Sequence, residues 1–221
     1  MNNPTARWAM ALDLERCIGC HACSVACKVE NDIELGVFRT KVYYYDHGVF
    51  PALKRSFLPT LCMHCEDAPC VQACPTDSIK RADNGIVGIN VNSCNSAGKC
   101  IEACPDGAIH IDPVYKVADK CDFCSHRLDA GLQPACVEAC PAEVFKFGDL
   151  TDPNSDIVRF RQKHGTQLQG LKEQHGTKPQ VQYRGVGTAV PAEIVQKIPE
   201  GKNHDPTSYE IDTWSQLKST F

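Results

Sequence analysis

Short strands are predicted at several places along the chain from the alternation of apolar and polar residues. Residues 8–14 alternate apolar with small or polar side chains, and residues 37–61 are rich in β-forming side chains interrupted by Asp46-His47-Gly48 and Pro51. The first stretch predicts a strand and the second a β-hairpin. Three further strands are predicted at residues 86–91, 107–113 and 144–150.

Helices are predicted to be short. One continues past Cys27 to about Asp32, because Lys28 replaces the proline that would end it. A helical turn between two cysteines is expected to end at Gly131. Residues 152–155 cap a further helix that runs to about His164 and ends at Gly165.

The last quarter of the sequence has a different character. Residues 166–221 contain no cysteine, few large apolar residues and several prolines, so they cannot form a core of their own. Two alternatives are open: a disordered tail, or an extended arm that lies on a partner subunit. The spacing of Tyr183, Tyr209, Trp214 and Phe221 resembles a row of anchors and favours the arm.

Membrane and export signals are missing from the sequence. The N-terminal stretch has neither an apolar signal region nor a twin arginine, and no apolar run approaches about 18 residues. We therefore expect a soluble or membrane-peripheral protein, whose membrane association or export depends on a partner.

Cysteines carry the candidate chemistry. The sequence contains 15 of them. An odd number, mostly at C-x2-C or C-x3-C spacing, suits metal ligation better than a disulfide framework and indicates assembly under reducing or anaerobic conditions. They fall into four groups: Cys17, Cys20, Cys23, Cys27; Cys62, Cys65, Cys70, Cys74; Cys94, Cys100, Cys104; and Cys121, Cys124, Cys136, Cys140.

The spacing is that of iron–sulfur clusters. Three closely spaced thiolates hold one cluster, while the fourth cysteine, one helical turn further on, points to a different cluster. Pro75, Pro105 and Pro141 each follow such a fourth cysteine and end the turn there. In the third group, Ala97 occupies the position where the pattern requires a cysteine.

The crossover rule predicts how the cysteines are shared. The two central groups exchange their fourth ligands, and the two outer groups exchange theirs. Three predicted sets are complete, and one has only three cysteines. The sets are Cys62, Cys65, Cys70, Cys104; Cys74, Cys94, Cys100; Cys17, Cys20, Cys23, Cys140; and Cys27, Cys121, Cys124, Cys136.

Ala97 changes the predicted cofactor of one set. A cubane corner without a thiolate loses its iron easily, so we expect three [4Fe-4S] clusters and one [3Fe-4S] cluster. The alternatives are an incompletely cysteine-ligated [4Fe-4S] cluster, with water or Ser96 on its fourth iron, and an empty site. A three-iron centre is expected toward the positive end of the potentials in this protein.

Other ligand classes fit the sequence less well. Structural zinc uses two cysteine pairs, not three close cysteines and a distant fourth. His21, His64 and His126 lie within the cysteine loops and are expected to pack or donate hydrogen bonds near the sulfurs rather than bind metal. A formal net charge of -4, made more negative by thiolate-bound clusters, argues against a nucleic-acid partner.

The four groups together resemble a known family. The segments CIGCHACSVACK, CMHCEDAPC and CDFCSHRLDAGLQPACVEACP are similar to those of the electron-transfer β subunits of the dimethyl sulfoxide reductase family, and the resemblance covers about residues 7–185. Later segments, RQKHG and TKPQVQY, are also similar to this family. The more distant nitrate reductase β subunits likewise lack the cysteine at the Ala97 position and hold a [3Fe-4S] cluster.

The resemblance implies partners. These are a catalytic subunit carrying a molybdenum or tungsten bis-pterin cofactor, and a quinone-linked membrane subunit, a cytochrome or a soluble redox protein. The protein would then stay in the cytoplasm, or reach the periplasm by co-export with a twin-arginine partner. It would catalyse nothing by itself. A free-standing polyferredoxin is the alternative.

The expected fold class is α+β. Two ferredoxin-like modules with two clusters each are predicted, one nested inside the other. The outer module comprises residues 1–36 and 106–150, and the central module comprises residues 62–105. Residues 37–61 form the inserted hairpin, and residues 151–221 form a helix followed by the arm.

Overall fold

The structure is a computed structural model that describes residues 5–198. Within this range the chain forms short strands and mostly short α-helices. The strands are β1 Trp8–Asp13, β2 Lys41–His47, β3 Lys54–Thr60, β4 Ile79–Arg81, β5 Val87–Ile89, β6 His110–Ile111, β7 Ala118–Asp119, β8 Phe145–Asp149, β9 Leu168–Gln169 and β10 Val181–Arg184. The α-helices are α1 Ala22–Glu30, α2 Pro69–Gln72, α3 Lys99–Ala103, α4 Ser125–Asp129, α5 Ala135–Glu138, α6 Asp156–His164 and α7 Ala192–Gln196.

The largest of the sheets among the described residues has four strands in the order β8-β1-β10-β9. Strand β1 pairs antiparallel with β8 and parallel with β10. Because successive side chains of a strand point to opposite faces of the sheet, β1 contributes residues to two hydrophobic clusters. Ala9 and Ala11 pack against Ile157 of α6, whereas Met10 and Leu12 face the main hydrophobic core under the cysteine loops.

The local predictions from the sequence are largely confirmed. The predicted strand at residues 8–14 is β1, and the predicted hairpin is β2 paired antiparallel with β3. Residues 86–91 and 144–150 contain β5 and β8, and residues 107–113 contain the short strand β6. The expected helical turn is α4, which is followed by Gly131 at a φ of 76°.

The tail differs from its prediction. Residues 166–198 complete the protein's own core, because β10 lies between β1 and β9 in the sheet. Tyr183, expected to anchor an arm on a partner, is instead fully buried, and Ile194 and Val195 of α7 join the same core. A strand can complete a sheet without having a core of its own, so a segment of this composition can still be part of the fold. The other three predicted anchors, Tyr209, Trp214 and Phe221, lie outside the described residues.

The cysteine loops are joined by small elements. Helix α1 packs on α5, and α2 packs on α3. Two short strand pairs connect the loops: β4 with β5, three residues long, and β6 with β7, two residues long. Mixed α and β content of this kind agrees with the expected α+β class. In the part of the chain that the structure describes, no helix has both the length and the apolar character needed to cross a bilayer.

Candidate iron–sulfur centres

Three cavities are each walled by cysteines from two separate segments. They are called here the first, third and fourth sites. The lining cysteines are Cys17, Cys20, Cys23, Cys140 at the first site; Cys62, Cys65, Cys70, Cys104 at the third site; and Cys74, Cys94, Cys100 at the fourth site.

The remaining four cysteines form a second site. The side-chain amide of Asn31 lies 3.7 Å from the sulfurs of both Cys27 and Cys124. Burial raises the pKa of Cys136, and the neighbouring thiols of Cys27 and Cys124 add to that effect. The pKa of Cys121 is raised in the same way, by burial and then by Cys27. The structure therefore brings together each of the four sets that the crossover rule predicts.

Short helices distribute the cysteines between neighbouring sites. Cys23 and Cys27 lie on α1, one turn and about 6 Å apart along its axis. Cys23 lines the first site, whereas Cys27 belongs to the second. The same step separates Cys136 and Cys140, which serve the second and first sites. A four-residue spacing thus holds two adjacent sites on one helix.

The second pair of short helices links the third and fourth sites. Cys70 and Cys74 lie at the start and just beyond the end of α2. Cys100 lies in α3, and Cys104 follows directly after it. Because α2 packs on α3, each helix gives one cysteine to the third site and one to the fourth.

The thiols are held in surroundings that disfavour their ionisation. Burial raises the pKa of Cys23 to about 12 and that of Cys27 to about 11. The pKa of Cys104 is raised to about 12 by burial, with the charge of Asp106 as the next cause. A thiolate is the form that binds metal, so these sites need a cationic group to keep their sulfurs ionised. A positively charged iron core would supply that charge.

Backbone N–H groups point at the sulfurs. Phe123 donates to the sulfur of Cys121 at 3.4 Å, and Val144 donates to that of Cys140 at 3.4 Å. Hydrogen bonds to ligand sulfurs stabilise negative charge there and help to set the reduction potential of an iron–sulfur cluster. The donor pattern fits thiolate ligands of a cluster.

The arrangement fits polynuclear centres better than single metal ions. Zinc requires its four ligands within about 2.0–2.3 Å of one point. Among residues 5–198, which include every cysteine, no three Cys, His, Asp or Glu side chains converge to hold one ion. All the cysteines are free thiols, so no disulfide competes for them. Cysteines spread around a cavity are what a cluster several ångströms wide requires.

Ala97 lines the fourth site and brings no donor atom to it. The neighbouring Ser96, considered above as a substitute ligand, donates its hydroxyl hydrogen bond to the backbone carbonyl of Lys116. Burial acts to raise the pKa of Cys74, but hydrogen bonds from backbone N–H groups, those of Thr76 first, together lower it.

The hairpin of β2 and β3 covers the loop of the first site. Gly19 has a φ of 67°, and a Cβ atom placed on it would lie 2.2 Å from the ring of Phe57. Only glycine therefore lets the hairpin approach this loop so closely. His21 packs edge-on against Tyr44, with ring centroids 5.9 Å apart.

The two other loop histidines also have structural contacts. His126 lies 2.8 Å from a carboxylate oxygen of Glu30. His64 is fully buried and stacks on Phe123 with ring centroids 3.7 Å apart. Packing and hydrogen bonding are the roles that the sequence predicts for these histidines.

Two residues around the sites were missed by the sequence analysis. Asn31 follows Cys27 by four residues, so its helical spacing was an available signal. Lys120 is buried beside Cys121, and no pattern in the sequence marks it. Both act through contacts between segments that lie far apart in the sequence.

Fold and site together define an iron–sulfur protein. A protein family described as "4Fe-4S dicluster domain" matches residues 53–150. A second family, described as "4Fe-4S binding domain", matches residues 8–29. The protein is 41% identical to a tetrathionate reductase subunit of Salmonella typhimurium, over 85% of its own length and 76% of that relative. It is 34% identical to the arsenate respiratory reductase iron-sulfur subunit ArrB of a Shewanella species, over 80% of its own length and 95% of that relative.

A third relative, the thiosulfate reductase electron transfer subunit PhsB of Salmonella typhi, is 42% identical over 72% of this protein and 84% of the relative. Identity of this extent along both sequences establishes common descent. The protein belongs to the iron–sulfur β subunits of the molybdoenzyme reductases, the family that its cysteine segments resemble.

Proposed function

We propose that this protein relays single electrons through four iron–sulfur centres in a reductase complex. One partner is a catalytic subunit with a molybdenum or tungsten bis-pterin cofactor. The other is a quinone-linked membrane subunit, a cytochrome or a soluble redox protein. The clusters supply reversible one-electron reduction, and the protein supplies ligands, hydrogen bonds and burial. No catalytic residue is assigned to it.

The observation that carries the proposal is the row formed by the sites. Helix α1 carries both Cys23 of the first site and Cys27 of the second. His64 of the third-site loop stacks on Phe123 of the second-site loop. Helices α2 and α3 pack together, and each gives one cysteine to the third site and one to the fourth. Each site is therefore adjacent to the next, in the order first, second, third, fourth.

Exposed apolar side chains lie at both ends of this row. At the first site this residue is Ile18, while Val49, Phe50 and Leu53 are exposed at the tip of the hairpin whose other end lines the site. Near the fourth site they are Val91, Val114 and Tyr115. Apolar surface of this kind marks sites of protein association, and two separate patches suit a relay with one partner at each end.

We assign three [4Fe-4S] clusters to the first, second and third sites. The fifteen cysteines are the ligands, grouped as the cavities group them. The fourth site has three sulfurs and Ala97, which supports a [3Fe-4S] cluster there. The bond from Ser96 to Lys116 disfavours a serine ligand.

The cluster sites also support the nested arrangement of two modules. Residues 1–36 and 106–150 hold the first and second sites, and residues 62–105 hold the third and fourth. The hairpin at 37–61 is an insertion that covers the first site. Residues 151–198 are assigned to the supporting sheet and helices rather than to an arm.

A free-standing polyferredoxin is the competing function. Residues 166–198 are part of the protein's own core, so they are not a partner-binding arm that would speak against it. The relatives oppose it instead, since their names describe subunits of reductases. The choice between a cytoplasmic and a co-exported periplasmic complex follows from the partner.

The test separates electron relay from catalysis. In the purified complex, Cys100→Ala removes a ligand of the fourth site. The reductase activity with the natural electron donor should fall at least tenfold, whereas activity with a viologen dye that reduces the catalytic subunit directly should persist. A control is Thr188→Ala, at an exposed position that lines none of the cysteine cavities. Unchanged activity with both donors, in a variant shown to have lost fourth-site iron, would refute the relay.

A further inference from the structure

Lys120 is a buried lysine at the junction of the second and third sites. The residue is 3% exposed. Its ammonium group donates hydrogen bonds to the backbone carbonyl oxygens of Val87 and Cys121, the latter at 3.0 Å. Cys121 belongs to the second site, and Val87 lines the third. One side chain therefore contacts the walls of two centres.

The position of this ammonium group is fixed by its surroundings. The backbone N–H of Val87 donates to Nδ1 of His64 at 3.0 Å. His64 is fully buried and stacks on Phe123, which lies between Cys121 and Cys124. Because Nδ1 accepts a hydrogen bond, it carries no proton, and His64 is neutral. Lys120 is a cation beside this ring pair, and the charge of Arg81 also acts on His64.

No carboxylate among residues 5–198 forms an ion pair with Lys120. The nearby carboxylates have other cations: Asp119 pairs with Arg39 and His110, and Asp122 pairs with Arg39. A buried charge without a counter-charge is costly. Thiolate-ligated clusters on either side supply negative charge.

We propose that Lys120 is a fixed positive charge shared by the second and third centres, and that it raises the reduction potentials of both. Reduction adds one negative charge to a centre, which a nearby cation stabilises. When an electron passes between the two sites, one is oxidised and the other reduced by a single electron. Lys120 contacts the walls of both sites, so it favours the reduced form of both centres. Electrons can therefore occupy the middle of the relay.

The inference rests on the proposed function, and a redox titration tests it. The full-length protein, isolated anaerobically with its clusters, is titrated and followed by electron paramagnetic resonance. Lys120→Gln removes the charge and keeps a hydrogen-bond donor, while Lys120→Arg keeps the charge. Lys80→Met is the control, because it removes a positive charge at an exposed position, where solvent and salt screen it.

The Gln variant should lower the equilibrium constant for reduction about tenfold at both centres, which is 59 mV for one electron. The Arg and Lys80→Met variants should keep the potentials of the original protein. Unchanged potentials in the Gln variant overturn the inference, as do equal shifts in the Gln and Arg variants. A Gln variant unable to retain iron at either site also overturns it, because the lysine is then needed for folding. A protein without iron contradicts the proposed function itself.

Discussion

His64 stacks on Phe123 with their ring centroids 3.7 Å apart, and this contact joins two cysteine loops that are distant in sequence. His64 lies between Cys62 and Cys65 of the third site, and Phe123 lies between two cysteines of the second. Phe123 also packs edge-on against Phe147 of the supporting sheet. The ring pair is therefore the structural joint between the two halves of the proposed relay.

Removing the Phe123 ring should separate these halves. Phe123→Ala deletes a side chain that is 1% exposed, and large core aromatics cost about 3–5 kcal/mol on truncation. We expect a lower thermal unfolding midpoint and iron loss mainly from the second and third sites. Phe50→Ala, at a position 84% exposed, should change stability by less than about 0.5 kcal/mol. Equal effects of the two substitutions would contradict the assigned role of Phe123.

Restoring the missing cysteine should convert the fourth centre from a [3Fe-4S] to a [4Fe-4S] cluster. Ala97→Cys places a thiol in the wall of a cavity that three cysteines already line. We expect about one additional iron per molecule and a lower reduction potential, as the centre becomes a [4Fe-4S] cluster. Ala130→Cys, in the turn after α4, controls for an added thiol. An unchanged iron content and an unchanged resonance spectrum of the oxidised protein would show the assignment to be wrong.

Asn31 should raise the potential of the second centre. Its side-chain oxygen accepts a hydrogen bond from Arg39 at 2.9 Å, which turns the NH₂ group toward the sulfurs of Cys27 and Cys124. Hydrogen bonds to ligand sulfurs favour the reduced, more negative cluster. Asn31→Ala should lower the midpoint potential of this centre by about 59 mV, the value of a tenfold change for one electron.

The other centres provide an internal control for Asn31→Ala. Their potentials should stay within error of the original protein, as should all the potentials of Asn154→Ala, which alters an exposed asparagine far from the cysteines. A uniform shift of every centre, or no shift at the second, would remove Asn31 from the set of residues that tune the relay.

Tyr183 should be essential for stability and its hydroxyl nearly dispensable. The ring is fully buried in the core, so Tyr183→Ala should cost about 3–5 kcal/mol. The hydroxyl lies 4.0 Å from the sulfur of Met63, a weak acceptor, so Tyr183→Phe should cost less than about 1 kcal/mol. Denaturant unfolding of the cluster-loaded protein measures both. A tolerated alanine would mean that residues 181–184 do not hold the sheet together.

Much of the local structure was predictable because its signals are local. Alternation marked β1, β-forming residues marked the hairpin, and cysteine spacing marked the sets that line the cavities. The pairing of β1 with β10 was not predictable in this way. It is a parallel pairing between Met10 and Val181, far apart in the sequence, and a four-residue strand gives little pattern of its own.

Residues that act between segments escaped the sequence for the same reason. Lys120 is an ordinary charged residue until Val87 and the cysteine loops close around it. The two carbonyl groups that it binds come from separate loops. Ala97 was detectable only because the repeated cysteine spacing defines what should stand there.

The most direct measurement is the metal content of the full-length protein purified without oxygen. Iron, acid-labile sulfide and zinc should be determined on the same sample. The account predicts a brown protein with about 15 irons per molecule, near-equal sulfide and negligible zinc. A colourless protein, or one whose cysteines hold zinc instead of iron, would contradict the relay and everything derived from it.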